Sequence, residues 1–176
     1  MFYLRKMSKK TNLLKIKTAS SRSDIDADVL KQELGTTGNT LSFWKCSDLD
    51  SPENTIKAIL LSTTSIDTSQ FIVVSDDLLE KYHIEIDDTQ KGVTGYKGYE
   101  NLHINFCNLT YEKIGLLLDM IKEISDNKKF TPELKKQEVK KYIIEVKEAG
   151  LLNESNIRCE LKDAIDRYCI TPSKCL

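Results

Sequence analysis

Two histidines, His83 and His103, are the most obvious candidates for chemistry in this chain. Each opens an alternating segment, His83-Ile84-Glu85-Ile86 and His103-Ile104-Asn105-Phe106. If those segments are antiparallel neighbours, the two imidazoles share a cleft and can divide acid and base roles on a phosphoester. Side chains two residues apart on a strand share a face, so His103, Asn105 and Cys107 project together. That row would suit a Cys–His nucleophile pair or part of a metal site. Zinc would need two or three further ligands and a nucleophile pair would need an orienting group, and no motif supplies either. The preferred reading of His83, His103 and Cys107 is therefore structural, with no metal and no cofactor.

The two histidine segments resemble those of the two-histidine phosphoesterases over eight residues. That family has Ser or Thr two positions after each histidine, where this chain has Glu85 and Asn105. A second candidate is Lys91-Gly92-Val-Thr-Gly95-Tyr-Lys97-Gly98, whose backbone N–H groups could wrap a phosphate. It has neither P-loop nor dinucleotide-fold spacing and leads into a strand rather than a helix. It reads as a flexible hairpin loop, with Lys91, Gly92, Gly95, Lys97 and Gly98 as the residues of any ligand contact.

Charge is uneven although the net is only −1. Residues 1–22 hold seven basic residues and no acid, whereas residues 23–90 hold fourteen acids and four lysines. A basic arm bearing Arg5, Lys6, Lys9 and Lys10 is one route to nucleic acid. Lys147-Glu-Ala-Gly-Leu-Leu152 also looks like the turn of a helix-turn-helix module, but Glu138, Glu145 and Glu148 neutralise that helix face. Glu85, Asp87, Asp88, Asp76 and Asp77 have the chemistry for Mg²⁺ and read more simply as cap and turn acids. Five cysteines without a C-x-x-C pair fit reduced thiols. No apolar run approaches the roughly 20 residues of a membrane span, and the start lacks a secretory pattern, so the expected location is the cytoplasm. Met7-Ser-Lys-Lys reads as a second start, which leaves open whether residues 1–6 are native.

The elements that must position these groups follow from periodicity and caps. Leu13–Thr18 alternates apolar and basic residues and predicts a strand, after a flexible basic arm over 1–11. Ser23 and Gly35 bracket a helix over 24–34, with Gly35 as its stop. Thr40–Cys46 predicts a strand, Ser51-Pro52-Glu53 a helix to about Ser62, and Phe71–Val74 a buried strand near the sheet centre followed by a short Ser75-capped helix. Ile84–Asp87 and Leu102–Phe106 predict a hairpin with a long loop. Three helices without a further strand should follow: Thr110–Ser125, one begun by Thr131-Pro132-Glu133 and ended at Gly150, and one to about Tyr168 closed by Pro172. The first has so wide an apolar arc that Leu116 and Met120, at its edge, are candidates for a partner interface.

Together these predict one α+β domain, a small mixed or antiparallel sheet with flanking helices. The sheet part spans 12–109 and a helical part, 110–176, packs on it. The expected function is that of a non-catalytic protein-interaction or accessory subunit of a larger intracellular assembly. The alternatives are a small phosphate- or nucleotide-directed enzyme using His83, His103 and the Gly92–Gly98 loop, and a nucleic-acid-binding module using the N-terminal arm.

Overall fold

A computed structural model describes residues 1–169 of the chain. The fold is α+β: one six-stranded antiparallel sheet, order β4-β5-β2-β1-β3-β6, with helices on both faces. It begins with β1 (Phe2–Lys6), which pairs with β2 (Leu41–Cys46) on one side and β3 (Ser69–Ser75) on the other. The expected flexible arm thus holds an interior strand, and its end, Lys10 and Thr11, opens a helix. The strand's alternation explains why: Tyr3 faces one core and Leu4, fully buried, the other. The basic residues that follow masked a short apolar repeat.

The segment expected as a strand over Leu13–Thr18 is instead helix α1 (Lys10–Thr18). Asn12, Leu13 and Ile16 are its buried residues, at helical spacing, while Leu14 is 57% exposed. Lys9, its N-cap, makes no side-chain cap. The buried Glu33 carboxylate caps it from elsewhere, accepting from the N–H groups of Ser8 at 2.8 Å and Lys9 at 3.2 Å and from Asn12 Nδ2 at 2.6 Å. A carboxylate there satisfies orphan donors and meets the positive end of the helix dipole. Glu33 belongs to α2 (Ala27–Leu34), which starts after Asp26, three residues later than Ser23 implies, behind a 3-10 turn over Arg22–Asp24. Gly35 follows it with φ −61°, so it is not the left-handed stop the sequence suggests.

Helix α3 (Glu53–Leu60) and α4 (Asp76–Lys81), where Ser75 Oγ accepts from Leu78 N at 3.4 Å, match their expected places; β3 is buried as expected but stands fifth of six strands rather than near the centre, its outer side flanked only by the two-residue β6 (Glu133–Leu134). The hairpin is present as β4 (Glu85–Asp87) and β5 (His103–Cys107). Helix α5 (Tyr111–Ile124) is capped by Thr110. The segment starting at Thr131-Pro132-Glu133 departs from expectation. Phe130 and Pro132 carbonyls accept from Val73 and Phe71 N–H groups, and Glu133–Leu134 forms β6 against Ser69–Gln70. Helix α6 (Lys136–Glu148) therefore begins later, and Gly150, at φ +69°, ends it as expected. Helix α7 (Cys159–Cys169) is the last described element, and the expected stop at Pro172 lies outside the described residues.

Side chains from alternate positions of each strand feed two cores. Helices α1, α2, α4 and α5 cover one face, over Tyr3, Phe43, Ile72, Ile104 and Phe106. Helices α3, α6 and α7 cover the other, over Leu4, Trp44, Phe71 and Val73. The result is three layers with the sheet in the middle. No helix among the described residues is long and apolar enough to cross a membrane.

Candidate functional site

The β4–β5 register separates the histidines. Glu85 pairs with Cys107 and Asp87 with Asn105, so His83 and His103 stand at opposite ends of the hairpin, roughly 20 Å apart at about 3.3 Å per residue. His83 has φ +53° and terminates α4, its N–H bonded to Glu80 O. His103 Nδ1 lies 3.2 Å from Gln90 O, and its ring meets Trp44 edge-on at 5.4 Å. No dyad forms. Asn105 accepts from Ser42 Oγ at 3.2 Å, and burial, then the charges of Glu85 and Asp87, push the Cys107 thiol up, away from the reactive thiolate. No group of three metal-ligating side chains occurs among the described residues.

The glycine-rich segment is a packed strap rather than a free loop. Thr94, fully buried, donates to Ala58 O at 2.7 Å, and Tyr96 stacks on Tyr99 at 4.0 Å. A Cβ on Gly92 would lie 2.6 Å from His103 Cβ and 2.8 Å from Trp44, and one on Gly95 would lie 2.5 Å from Ile157. These two glycines let backbone press onto the core. Gly98, at φ +85°, turns the chain, and Lys97 Nζ donates to Gly150 O at 3.3 Å. Lys91 is exposed. The backbone N–H groups of Gly92, Gly95 and Lys97 donate to the carbonyls of Glu100, Leu61 and Leu151, so the segment is packed rather than the flexible hairpin loop expected.

Two further expectations change. Met120 is fully buried and Leu116 half-buried, so this edge of α5 is core and core margin rather than an open partner face. Of the four basic residues assigned to an arm, Lys10 is on α1, ion-paired to Glu133 at 2.6 Å, Lys9 immediately precedes that helix with its N–H bonded to Glu33, and Arg5 and Lys6 close β1.

Arg5 and Lys6 lead to a concavity in which cationic groups converge. β1 and β2 pair through Phe2↔Cys46, Tyr3↔Lys45 and Leu4↔Trp44 and then part, while β1 stays on β3 as far as Lys6↔Phe71. The splay opens a cleft of about 500 Å³. Its wall comprises Arg5–Ser8, Ser42, Trp44, Ile59, the loop Ser62-Thr-Thr-Ser65 and Arg158, and contains no acidic residue.

Alternation sends Arg5 and Lys6 to opposite faces. Arg5 lies over Phe43, 5.9 Å from the ring centroid, and donates from Nη1 to Ser42 O at 2.9 Å and from Nη2 to Glu33 O at 3.1 Å. Its Nε is buried without an acceptor. Burial lowers the Arg5 pKa, and the charge of Glu33 partly restores it. The Lys6 side chain, on the cleft side, has no hydrogen bond or ion pair among the described residues; burial lowers its pKa and the nearby Asp67 opposes that shift. Arg158, exposed and just before α7, is also without an ion pair among the described residues.

The hydroxyls divide in the same way. Ser62 donates to Ile59 O at 2.7 Å, Thr63 to Leu60 O at 2.8 Å, Ser42 to Asn105 Oδ1 and Ser8 to Gln32 O, so their protons are used. Among the described residues, Thr64 and Ser65 donate from neither hydroxyl nor backbone N–H. Only Arg5 and Lys6 of this set were flagged by the sequence, and for a different role. The hydroxyl run 62–65 was a visible signal, whereas Trp44 and Arg158 become neighbours only through the fold.

Protein-family models, curated proteins and solved structures were all searched, and none matches the chain.

Proposed function

We propose that the chain is a non-catalytic accessory module of a larger intracellular assembly, working by binding, with the cleft at the β1–β2 splay as its contact site. The observation that carries this reading is a division among its polar groups. The residues with catalytic potential, His83, His103 and Cys107, are dispersed, and both histidines serve the fold: one ends α4, the other packs on Trp44. In the cleft, by contrast, Lys6, Arg158, Thr64 and Ser65 converge and are not used by the protein itself. Free donors around a concavity are what a ligand or partner requires.

The reading is tested by replacing His83, His103 and Cys107 with Ala, Ala and Ser in the full chain and restoring the gene to a strain that lacks it. Full restoration is expected as long as the variant stays folded, even if the lost His83 and His103 contacts lower its thermal unfolding temperature. Loss of function in a variant that melts like the parent would overturn the non-catalytic reading.

A further inference from the structure

We infer that the cleft at the β1–β2 splay binds a phosphomonoester group through Lys6, Arg158, Thr64 and Ser65. This deepens the binding reading above and rests on it. Charge comes first. The two unpaired cations of the wall face no acid among the lining residues, and the nearest opposing charge acting on Lys6, Asp67, lies outside the wall and 3.6 Å from Lys136. A phosphomonoester carries about −1.5 to −2 charges at pH 7. It matches Lys6 and Arg158 together, whereas a carboxylate would leave one of them uncompensated. Arg5 adds little to this balance because Glu33 faces it on the other side of the sheet.

Hydrogen bonding comes second. A phosphate presents acceptors only, and the groups left over in the cleft are donors: the Lys6 ammonium, the Arg158 guanidinium, and the hydroxyls and N–H groups of Thr64 and Ser65. The spent hydroxyls of Ser62 and Thr63 hold that loop in place by bonding to the last turn of α3. Size comes third. A volume of about 500 Å³ falls within the range of roughly 300 to 1,000 Å³ for small-molecule sites, and exceeds what a bare phosphate fills. Beyond the donors, Trp44, Ile59 and Met7 reach the cleft with only small exposed apolar edges, so the wall is mainly polar. A concave pocket of this kind takes one terminal phosphate, unlike the exposed stripe that follows a nucleic-acid backbone.

The test is calorimetric titration of the full chain with inorganic phosphate, phosphoserine, AMP and a short oligodeoxynucleotide without terminal phosphate, with serine and adenosine as controls. Phosphomonoesters should bind and their unphosphorylated counterparts should not. Whether phosphoserine or AMP binds more tightly distinguishes a modified protein side chain from a small nucleotide as the source. Lys6→Met and Arg158→Gln should each weaken binding about tenfold or more, the loss of one charge-assisted contact. Arg158 is exposed, so its variant stays informative if Lys6→Met disturbs the sheet. The inference is overturned if no phosphomonoester binds, if both variants bind as the parent does, or if only the oligonucleotide binds. Release of inorganic phosphate from AMP or phosphoserine by the chain would contradict the non-catalytic reading and leave the ligand assignment standing. Absence of phosphate binding in a chain whose His83, His103 and Cys107 variant still functions would remove the ligand assignment alone.

Discussion

The two faces of the sheet meet the same irregularity and resolve it differently. Where β1 leaves β2, the face covered by α1, α2, α4 and α5 is closed by Arg5, whose guanidinium donates to Ser42 O and Glu33 O across the gap. On the face covered by α3, α6 and α7, the next residue, Lys6, reaches no acceptor, and the gap remains a cleft. Adjacent basic residues, separated only by the alternation of a strand, thus have opposite fates. A charge is structural when the surrounding chain supplies its acceptors, and is left for a ligand when it does not.

The comparison can be broken most severely by removing the strand on which it depends. A chain begun at Met7 lacks β1, including the buried Tyr3 and Leu4, and leaves facing edges of β2 and β3 unpaired. Such a chain should lose about 4 kcal/mol or more and with it cooperative unfolding in urea. A chain from Met7 that unfolds cooperatively with unchanged midpoint would show that residues 1–6 are dispensable. Next in size is the closed face itself. Leu117 of α5 is 1% exposed, and Leu117→Ala should cost about 2 to 5 kcal/mol by denaturant titration.

Much of this closed face was legible in the sequence. The wide arc of α5, the alternation of β2 and β5 and the cap at Ser75 are local patterns, and they place the elements correctly. What was not legible depended on pairing between distant segments. β6 is two residues long and exists because β3 offers it an edge, and the Gly92–Gly98 strap is buried by Ile157, Leu61 and His103. The basic start misled for a related reason. Three apolar and two basic residues in a row, Phe2–Lys6, carry too little period to show a strand whose partners lie about 40 and 70 residues away. The candidate site follows this pattern: Lys6 was visible as a cation, but its place beside Trp44, Ser65 and Arg158 is a property of the fold.

A subtler contrast sharpens the comparison directly. Arg5→Met leaves the Ser42 and Glu33 carbonyls without this donor and removes the cation on which the Glu33 charge acts, and should destabilise by about 1 to 3 kcal/mol. Lys6→Met removes a partly desolvated charge that has no partner and should leave stability unchanged or slightly raised. Equal losses for both would mean that the two residues are alike and that the faces do not differ.

A smaller effect should appear in alkali and should involve both faces. Burial, then the hydrogen bond to Glu123, raises Tyr82 on the first face to about 12; burial and the neighbouring Tyr99 raise Tyr96 on the second to about 12. An unfolded tyrosine ionises near 10. Between those values the native state holds the extra protons, so stability is full below about pH 10 and falls as pH rises from about 10 to 12. Thermal unfolding followed alongside tyrosinate absorbance would check this, and stability that is flat through that window would contradict it.

The most direct measurement uses Trp44, the sole tryptophan, which lines the cleft while being only 6% exposed. Its fluorescence should be quenched more effectively by iodide than by caesium, relative to free tryptophan, because Lys6 and Arg158 concentrate anions beside it. Combining Lys6→Met with Arg158→Gln should abolish that preference, whereas His83→Ala should leave it intact. Equal quenching by the two ions in the parent, or an iodide preference that survives loss of both cations, would contradict an open cationic cleft on this face of the sheet.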